Sequence, residues 1–197
     1  MPWDKEHKQR TRQRILEAAA AAFRARGING VGLADVMQTA GLTHGGFYAH
    51  FKSKDDLIAA ALAFINEGRL ARFDEMIPVT QHGSALATMA DVYLSSRHRE
   101  HPETGCAIAT LGCELAREDG RARRQLSRNV AAWLEKTSDR APGSDARAKL
   151  RNGTGTFAAM VGGLILARVA EDPHESDRIL TDIRAFLKDA LDHERDG

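Results

Sequence analysis

Apolar residues recur at three- and four-residue spacing along almost the whole chain, which is the repeat of one face of an α-helix. Near the N-terminus, Ile15, Ala19, Ala22 and Phe23 show this pattern at i, i+4, i+7 and i+8. Runs of β-branched and aromatic residues are scarce, so strands are not expected. The sequence therefore predicts an all-α protein of about nine helices.

Capping residues and helix breakers divide the first 80 residues into four of these helices. Thr11 is a plausible N-cap, because a threonine oxygen can accept a free backbone N–H of the first turn. Glycines at positions 27 and 41 suit helix ends, since glycine readily adopts the left-handed conformation found there. The predicted helices run from Thr11 to Gly27, from Leu33 to Gly41, from a cap at Thr43 to about His50, and from a cap at Ser53 to Pro78.

Five helices are predicted in the rest of the chain. The Asp172-Pro173 pair opens the last of them, because proline suits the first helical position. An Ala-Pro-Gly turn at 141–143 separates the last two helices from the earlier ones. The predicted spans are about 84–98, about 103–117, a helix carrying residues 126–137, about 146–169, and a final helix from 173.

Composition and charge narrow the class of protein. Hydrophobic residues make up 43% of the 197 residues and charged residues 28%, as in ordinary soluble proteins. We expect a cytoplasmic protein, because there is neither an apolar run of about 18 residues nor an apolar secretory segment at the start. The net charge is only +1. A basic patch at the N-terminus fits a phosphate-binding face, with a solvated arm as the alternative; it consists of Lys5, Lys8, Arg10, Arg12 and Arg14.

The segment LTHGGFYAHFKSKDDL, residues 42–57, carries few of the apolar residues that a core helix needs. The second helix, a turn at 41–42 and the third helix have the size of a helix-turn-helix, in which one helix enters the DNA major groove. Gly45 and Gly46 would let the backbone approach DNA, at about 1 kcal/mol each in helix propensity. Phe47 and Phe51 are expected to turn inward. His44, Tyr48 and His50 are expected to face outward, towards phosphates or base edges.

The runs at 40–57 and at 11–19 (TRQRILEAA) resemble the DNA-binding signature of the tetracycline-repressor (TetR/AcrR) family of bacterial regulators. The resemblance covers about residues 8–60, with Phe-Tyr-x-His-Phe and Ser-Lys in order. Gly32 departs from the Ser or Thr common at its position, which leaves only a backbone N–H there. The DNA-contacting residues implied are Thr43, His44, Gly45 and Gly46 at the groove, Tyr48 and His50 at the sugar-phosphate backbone, and Lys54 at a phosphate, with Thr11 and Gly32 beside them.

The resemblance also implies the architecture of the whole chain. A three-helix DNA-binding domain at 1–55 would precede a larger helical ligand-binding and dimerisation domain at 56–197. The last two helices would pair with those of a second subunit, and a homodimer would require a roughly palindromic double-stranded operator. Glycines in the penultimate helix fit close helix approach, with a glycine-softened core helix as the alternative; they are Gly153, Gly155, Gly162 and Gly163.

Two cysteines, Cys106 and Cys113, lie seven residues apart, about 10 Å along a helix, too far for a disulfide within it. Cys106 is expected in the first turn of the sixth helix, where the helix dipole lowers a thiol pKa. Its GlyCysAlaIleAla segment is similar to that of family members whose thiol senses electrophiles or oxidants. The alternative is that both cysteines are small core residues, and Cys113 is expected to be one.

Other candidate sites are less defined. The histidines lack ligand spacing, so neither a metal nor a cofactor is expected. A small hydrophobic or electrophilic effector is expected among residues that the resemblance places around a cavity, although such residues are also ordinary core. Besides Cys106, they are Met89, Tyr93, Leu111, Trp133, Phe157 and Met160.

Two functions are therefore weighed. The first is a dimeric DNA-binding regulator, in particular a repressor released from its operator by a small molecule or by thiol modification. The second is a small helical thiol-dependent enzyme using Cys106. Against an enzyme, the sequence has no phosphate loop, no nucleophile motif and no resolving cysteine at short spacing, so we expect a non-enzymatic protein.

Overall fold

The computed structural model describes residues 2–76 and 84–193, and every regular element in those two ranges is helical. The prediction of an all-α fold is confirmed. The described ranges contain two short 3₁₀ helices, His44–Ala49 and Pro102–Thr104. The α-helices are α1 (Pro2–Arg26), α2 (Leu33–Thr39), α3 (Lys54–Met76), α4 (Ser84–Tyr93), α5 (Ser96–Glu100), α6 (Ala107–Leu115), α7 (Arg121–Arg140), α8 (Ala146–Val169) and α9 (Pro173–His193).

The described residues form two compact units. The first unit comprises residues up to 68 together with 103–129. Its core is continuous from α1 to the start of α7 and includes Phe23, Met37, Phe47, Leu57 and Leu111, each no more than 1% exposed. Because α1, α2 and the first 3₁₀ helix share this core, burial of apolar surface fixes their arrangement.

Polar contacts tie helix ends together within this first unit. The backbone N–H of Ile28, just after α1, donates to Oε2 of Glu114 on α6 at 2.9 Å. Gly27 beside it has a φ of +75°, and a Cβ there would lie 2.6 Å from Oε1 of Glu114. Arg24 of α1 donates from Nη1 to the carbonyl of Gly105 at 2.9 Å. The end of α1 is thus fixed to both ends of the segment that carries α6.

The second unit comprises residues 69–102 and 130–197. Aromatic rings fill its core: Trp133 stacks on Phe157 with centroids 5.9 Å apart, and Phe73 meets Trp133 edge-on at 5.5 Å. Arg140 is only 1% exposed; its Nη2 donates to Oδ1 of Asp74 at 2.9 Å, and its guanidinium lies 4.5 Å from the centre of the Phe73 ring. A buried charge is therefore paired within an otherwise apolar core.

Several predicted boundaries are confirmed. Helix α8 begins and ends where the sequence predicted, at 146 and 169, and the Asp145 carboxylate accepts the Ala148 N–H at 2.8 Å. The Ser53 hydroxyl accepts the backbone N–H of Asp56 at 3.1 Å and so caps α3. At α9, the Asp172 carboxylate accepts the His174 N–H at 2.9 Å. Each cap satisfies a backbone donor that the first helical turn leaves free.

The prediction of Thr11 as an N-cap is wrong. Helix α1 begins at Pro2, so Thr11 lies in its interior and is 9% exposed. Residues 2–10 are rich in lysine, arginine, glutamate and glutamine, which form helices without needing an apolar face. The third predicted helix is a 3₁₀ helix of six residues, for which Thr43 occupies the N-cap position without a side-chain cap bond.

Two predicted helices in the middle of the chain also differ. The span 84–98 is divided into α4 and α5, because Ser95 is extended and accepts the His98 N–H on its hydroxyl at 3.3 Å. The span 103–117 is shorter than predicted: a 3₁₀ helix ends at Thr104, and α6 begins at Ala107. The predicted stop at Pro78 lies outside the described residues.

Candidate nucleic-acid interface

Two phenylalanines fix the first 3₁₀ helix to the core, as the sequence predicted. Phe47 is fully buried, and Phe51 is 2% exposed. Their rings stack with centroids 5.8 Å apart, and Tyr48 meets Phe47 edge-on at 5.2 Å. Burying a phenylalanine side chain stabilises a fold by about 1.5–3 kcal/mol. This short helix is therefore held firmly on its inner face, although Tyr48 on its other face is 68% exposed.

The turn before it is fixed by backbone geometry. Gly41 has a φ of +67°, which glycine adopts at little cost. The Leu42 N–H donates to the Met37 carbonyl at 2.8 Å, and Arg14 of α1 donates to the Ala40 carbonyl at 2.6 Å. These bonds satisfy carbonyls left free at the end of α2. They set the direction in which the chain enters the 3₁₀ helix.

The DNA-contacting residues predicted between positions 43 and 54 lie in that helix or beside it. Tyr48 is 68% exposed. Thr43, His44 and Gly45 are exposed, and Gly46, His50 and Lys54 are partly exposed. All seven lie between residues 43 and 54, at or beside one short element, so the structure brings them together.

The glycine pair has no packing role within the described part of the protein. A Cβ at Gly45 would meet no atom within 4 Å, and one at Gly46 would meet only the Met37 methyl at 3.7 Å, an ordinary contact, and the Thr43 hydroxyl at 4.0 Å. Neither glycine has a positive φ. Conformation and internal packing therefore give no reason for glycine here. Close approach of an external molecule does give one.

Thr11 and Gly32 lie apart from this surface element. Thr11 is buried within α1. Gly32 is the N-cap of α2, and its backbone N–H donates to Oδ2 of Asp35 at 3.2 Å. The N–H that the sequence left available at Gly32 is thus already used within the protein.

His50 has an unusual electrostatic setting. Partial burial lowers the pKa of His50, and the positive side chains of Lys8, Arg12 and His7 lower it further. The Arg12 guanidinium lies 4.7 Å from the centre of the Phe51 ring. Sequence reasoning treated the N-terminal basic patch separately from His50. Extending the helical stripe of Ile15 back to positions 12 and 8 would have placed Arg12 and Lys8 on the inward face of α1, but not beside His50.

The seven predicted effector residues divide between the two units. Cys106 and Leu111 belong to the first unit. Met89, Tyr93, Trp133, Phe157 and Met160 belong to the second, where each is no more than 5% exposed. A separate cleft of about 430 Å³ lies between α3 and α7 in the first unit, and its lining contains none of the seven.

The two cysteines occupy different environments. Cys106 is 2% exposed and is the N-cap residue of α6, so the prediction that it lies in the first turn of that helix is wrong by one position. The neighbouring Gly105 carbonyl is the one that accepts the Arg24 guanidinium. Cys113 is exposed, so the prediction of a core residue is wrong there. It falls on the outer side of α6, whereas Leu111 and Leu115 face the core.

An apolar stripe runs along α8 in the second unit. Gly155, Ala159, Gly162, Leu166 and Val169 follow one another at spacings of four, three, four and three, with Leu166 57% and Val169 72% exposed. A Cβ at Gly155 or Gly162 would meet no atom within 4 Å among the described residues.

The other two glycines of α8 pack inside the second unit. A Cβ at Gly153 would lie 2.5 Å from the Ser138 nitrogen, and one at Gly163 would lie 3.2 Å from atoms of Ile183 and Leu94. The glycines of α8 therefore lie on two faces: Gly153 and Gly163 face the inside of the unit, and Gly155 and Gly162 lie on the apolar stripe.

The described ranges carry neither a metal-ligand cluster nor a membrane span. Within residues 2–76 and 84–193, no three histidine, cysteine, aspartate or glutamate side chains are grouped as a metal site requires. In those ranges, too, no helix combines the length and apolar character needed to cross a membrane.

Helix α2, the turn at Gly41 and the first 3₁₀ helix together form a helix-turn-helix. Buried phenylalanines anchor the 3₁₀ helix, and its exposed side carries polar residues and glycine. Residues 15–61 match the family described as bacterial regulatory proteins, tetR family. Residues 84–183 match the tetracyclin repressor-like C-terminal domain. The chain belongs to the TetR family of transcriptional regulators.

Individual relatives agree with this assignment. The HTH-type transcriptional regulator TtgR of Pseudomonas putida is 44% identical over 73 residues, which are 36% of this chain and 35% of that protein. The match thus spans about a third of the relative's length.

Solved structures match over most of the chain. A TetR regulator from Chloroflexus aurantiacus superposes with a TM-score of 0.75 and 25% identity, covering 92% of this chain and 96% of that one. The reduced form of E. coli NemR superposes with a TM-score of 0.78 and 18% identity, covering 91% and 95%. The second likeness concerns the fold alone.

Proposed function

We propose that this protein is a homodimeric repressor that binds a roughly palindromic operator through the outer face of the first 3₁₀ helix. The observation that carries the proposal is the glycine pair at 45 and 46, which nothing in the described part of the protein requires and which leaves the backbone open to a groove. DNA recognition is assigned to residues 1–55, with Thr43, His44 and Tyr48 reaching the duplex. Ligand binding and dimerisation are assigned to residues 56–197, and the protein is proposed to act in the cytoplasm.

Dimerisation is proposed to use the stripe on α8 together with exposed apolar residues of α9. Phe186 on α9 is 62% exposed, which is costly for a side chain of its size in water. The open glycines of α8 would allow two helices to approach closely. Two subunits joined in this way present two reading elements, as a palindromic operator requires.

Release from the operator is proposed to follow modification of Cys106, with a reversible hydrophobic ligand among the aromatic residues of the second unit as the other candidate trigger. An electrophile with an activated carbon–carbon double bond would add the thiol: the sulfur bonds to one carbon as the π bond opens, and the proton lost from the thiol ends on the other carbon. Cys106 is buried, so an adduct would add atoms to a site that is already packed and would force its neighbours to move. The adjoining bond from Arg24 to the Gly105 carbonyl connects this place to α1.

One further fact supports a thiol trigger: E. coli NemR, whose fold is similar, has been crystallised in its reduced form. Cys106 is 2% exposed, so a reagent would have to enter by local opening once, whereas a substrate would have to do so at every turnover. We therefore propose no enzymatic role for this thiol.

The test is a gel-shift titration with reduced protein on the DNA immediately upstream of its own coding region, and on duplexes selected from a random-sequence library. Treatment with a mild electrophile is expected to abolish binding. Cys106→Ser is expected to bind and to resist the treatment, whereas the matched Cys113→Ser variant is expected to respond like the wild type. If all three proteins bind and none responds, the thiol trigger is wrong, and reversible ligands are tested next.

A further inference from the structure

One face of α1 changes from apolar to cationic where the core ends. Ile15 and Ala19 are fully buried on this face. Counting back by three and seven residues from Ile15 gives Arg12 and Lys8, both of which are exposed. Residues at this spacing lie one above another on a helix. The two cations therefore extend the face of α1 that is buried in the core of the first unit. That core also holds Phe47 and Phe51 of residues 43–51, the proposed DNA-reading segment.

Contacts with that segment place Arg12 beside its C-terminal end. The Arg12 guanidinium lies 4.7 Å from the centre of the Phe51 ring, a cation–π distance. Phe51 is 2% exposed and anchored on Phe47, so the guanidinium rests on a fixed surface. The residue before Phe51 is His50, the C-cap of the 3₁₀ helix.

His50 has unused hydrogen-bonding capacity next to these cations. Its Nδ1 atom is buried and forms no hydrogen bond within the described residues. The charged groups that act on it from α1 are Lys8, Arg12 and His7, all of which are positive when charged. On its own segment, exposed Lys52 follows two residues later. Among the residues whose side chains are described, no carboxylate is paired with Lys8 or Arg12, so the cluster lacks a counterion.

We propose that Lys8, Arg12 and His50 bind one phosphate of the DNA backbone, at a site completed by α1 outside the helix-turn-helix, and that His50 takes up a proton on binding. A bound anion supplies what the cluster lacks: a negative charge beside the two cations and an acceptor for a hydrogen bond from the imidazole. The source is DNA because the cluster directly adjoins the end of the reading element. This site deepens the proposed function and rests on it.

The proton uptake follows from the same geometry. Without DNA, burial and the neighbouring cations lower the pKa of His50, which favours the neutral ring. A bound phosphate offsets those cations and favours the imidazolium, because an opposite charge nearby stabilises the charged form. The complex then holds more protons than the free protein. DNA affinity must therefore rise as pH falls, by at most about tenfold per pH unit for one proton.

The site is tested by fluorescence anisotropy, with a duplex selected by the wild-type protein from a random-sequence library. Titrations from pH 6 to pH 8, and across a range of salt concentrations, compare the wild type with Lys8→Gln, Arg12→Gln and His50→Gln. Arg26→Gln is the matched control: it is exposed, removes the same charge, and lies at the opposite end of α1. Circular dichroism confirms that each variant is folded.

Lys8→Gln and Arg12→Gln together are expected to lower the magnitude of the slope of log affinity against log salt by about 0.9, the value for one phosphate contact, and each alone by part of that. They should weaken binding to an unrelated duplex as well, since a phosphate contact carries no sequence information. His50→Gln is expected to flatten the pH dependence, with only the share of other histidines such as His7 remaining. Arg26→Gln should match the wild type throughout.

The outcomes separate this site from the proposed function. If the wild type binds, but Lys8→Gln and Arg12→Gln keep its salt slope, no phosphate is bound there and the site is wrong. If those slopes fall but His50→Gln keeps the full pH dependence, the proposed role of His50 is overturned. If the wild type selects no duplex at any pH, the operator-binding function fails, and the phosphate site fails with it.

Discussion

The carboxylate of Asp55 accepts the backbone N–H of Arg121 at 2.9 Å, so a residue in the first turn of α3 caps the N-terminus of α7. Its second oxygen accepts the N–H of Ala122 at 3.0 Å. One side chain thereby satisfies two free donors of another helix. Because α3 begins shortly after the first 3₁₀ helix, this cap ties α7 to the helix that follows the proposed DNA-reading segment.

Asp55→Ala is expected to lower the free energy of unfolding by about 1–2 kcal/mol, the usual cost of losing an N-cap side chain. Glu67→Ala, an exposed change on the same helix, should cost no more than about 0.5 kcal/mol. Urea denaturation followed by circular dichroism measures both. Equal stability of the two variants would show that the Asp55 contact contributes nothing.

Gly45→Leu is expected to leave the fold intact, because its Cβ meets no atom within 4 Å. The side chain would instead occupy the space that the proposed groove contact needs, and affinity for the selected duplex should fall at least about tenfold, or 1.4 kcal/mol. Gly68→Leu is the matched control, since that glycine is exposed and equally open. Anisotropy titrations compare the two. Unchanged affinity for Gly45→Leu would contradict a groove contact at this position.

Gly162→Arg is expected to convert the proposed dimer to a monomer without loss of helix content. A Cβ at Gly162 meets no atom within 4 Å among the described residues, so the arginine would clash with the helix of the proposed partner and not with its own subunit's described part. Sedimentation equilibrium gives the mass, and Gly68→Arg serves as the control. A Gly162→Arg protein that sediments as a dimer would exclude this stripe of α8 from the subunit interface.

Asp74→Asn is expected to lower the free energy of unfolding at pH 7 by about 1–3 kcal/mol, because it removes the charge of the carboxylate that pairs with the buried Arg140 at 2.9 Å. The hydrogen bond from Lys136 chiefly lowers the pKa of Asp74, and Arg140 lowers it further. A lowered carboxyl pKa stabilises the fold above the unfolded pKa, near 3.9, and this stabilisation is lost as pH falls through the folded pKa.

Thermal or urea unfolding across acid pH measures that contribution. The wild type should lose its advantage over Asp74→Asn as the medium is acidified below about pH 4. Asp182→Asn, which breaks an exposed pair with Arg178 on one helix, should change stability by no more than about 0.5 kcal/mol. An Asp74→Asn protein no less stable than the Asp182→Asn control would contradict this account of Arg140.

The sequence predicted best those elements whose ends carry their own chemical signal. Ser53, Asp145 and Asp172 each accept a backbone N–H of the helix that they open. The predictions from sequence were wrong where a helix end depends on long-range packing or carries only a weak local signal. Nothing in the local pattern shows that Ser95 interrupts a helix, and polar helix formers conceal the true start of α1.

The candidate site was predictable to a similar degree. Phe47 and Phe51 were expected to face inward and do so. The outward residues of the 3₁₀ helix followed from the same spacing. What the sequence could not supply was the pairing of elements distant in the chain, such as Arg12 with Phe51 or Asp55 with Arg121. Such contacts depend on the fold as a whole, because side chains far apart in sequence carry no shared pattern.

The central claim is that the outer face of the 3₁₀ helix reads operator DNA. The most direct measurement is a random-sequence selection with the reduced wild-type protein, followed by anisotropy titration of the selected duplex over a range of salt. The account predicts one roughly palindromic sequence, bound far more tightly than unrelated DNA, with an affinity that falls steeply as salt rises. Failure to enrich any sequence, or equal affinity for selected and unrelated duplexes, would contradict it.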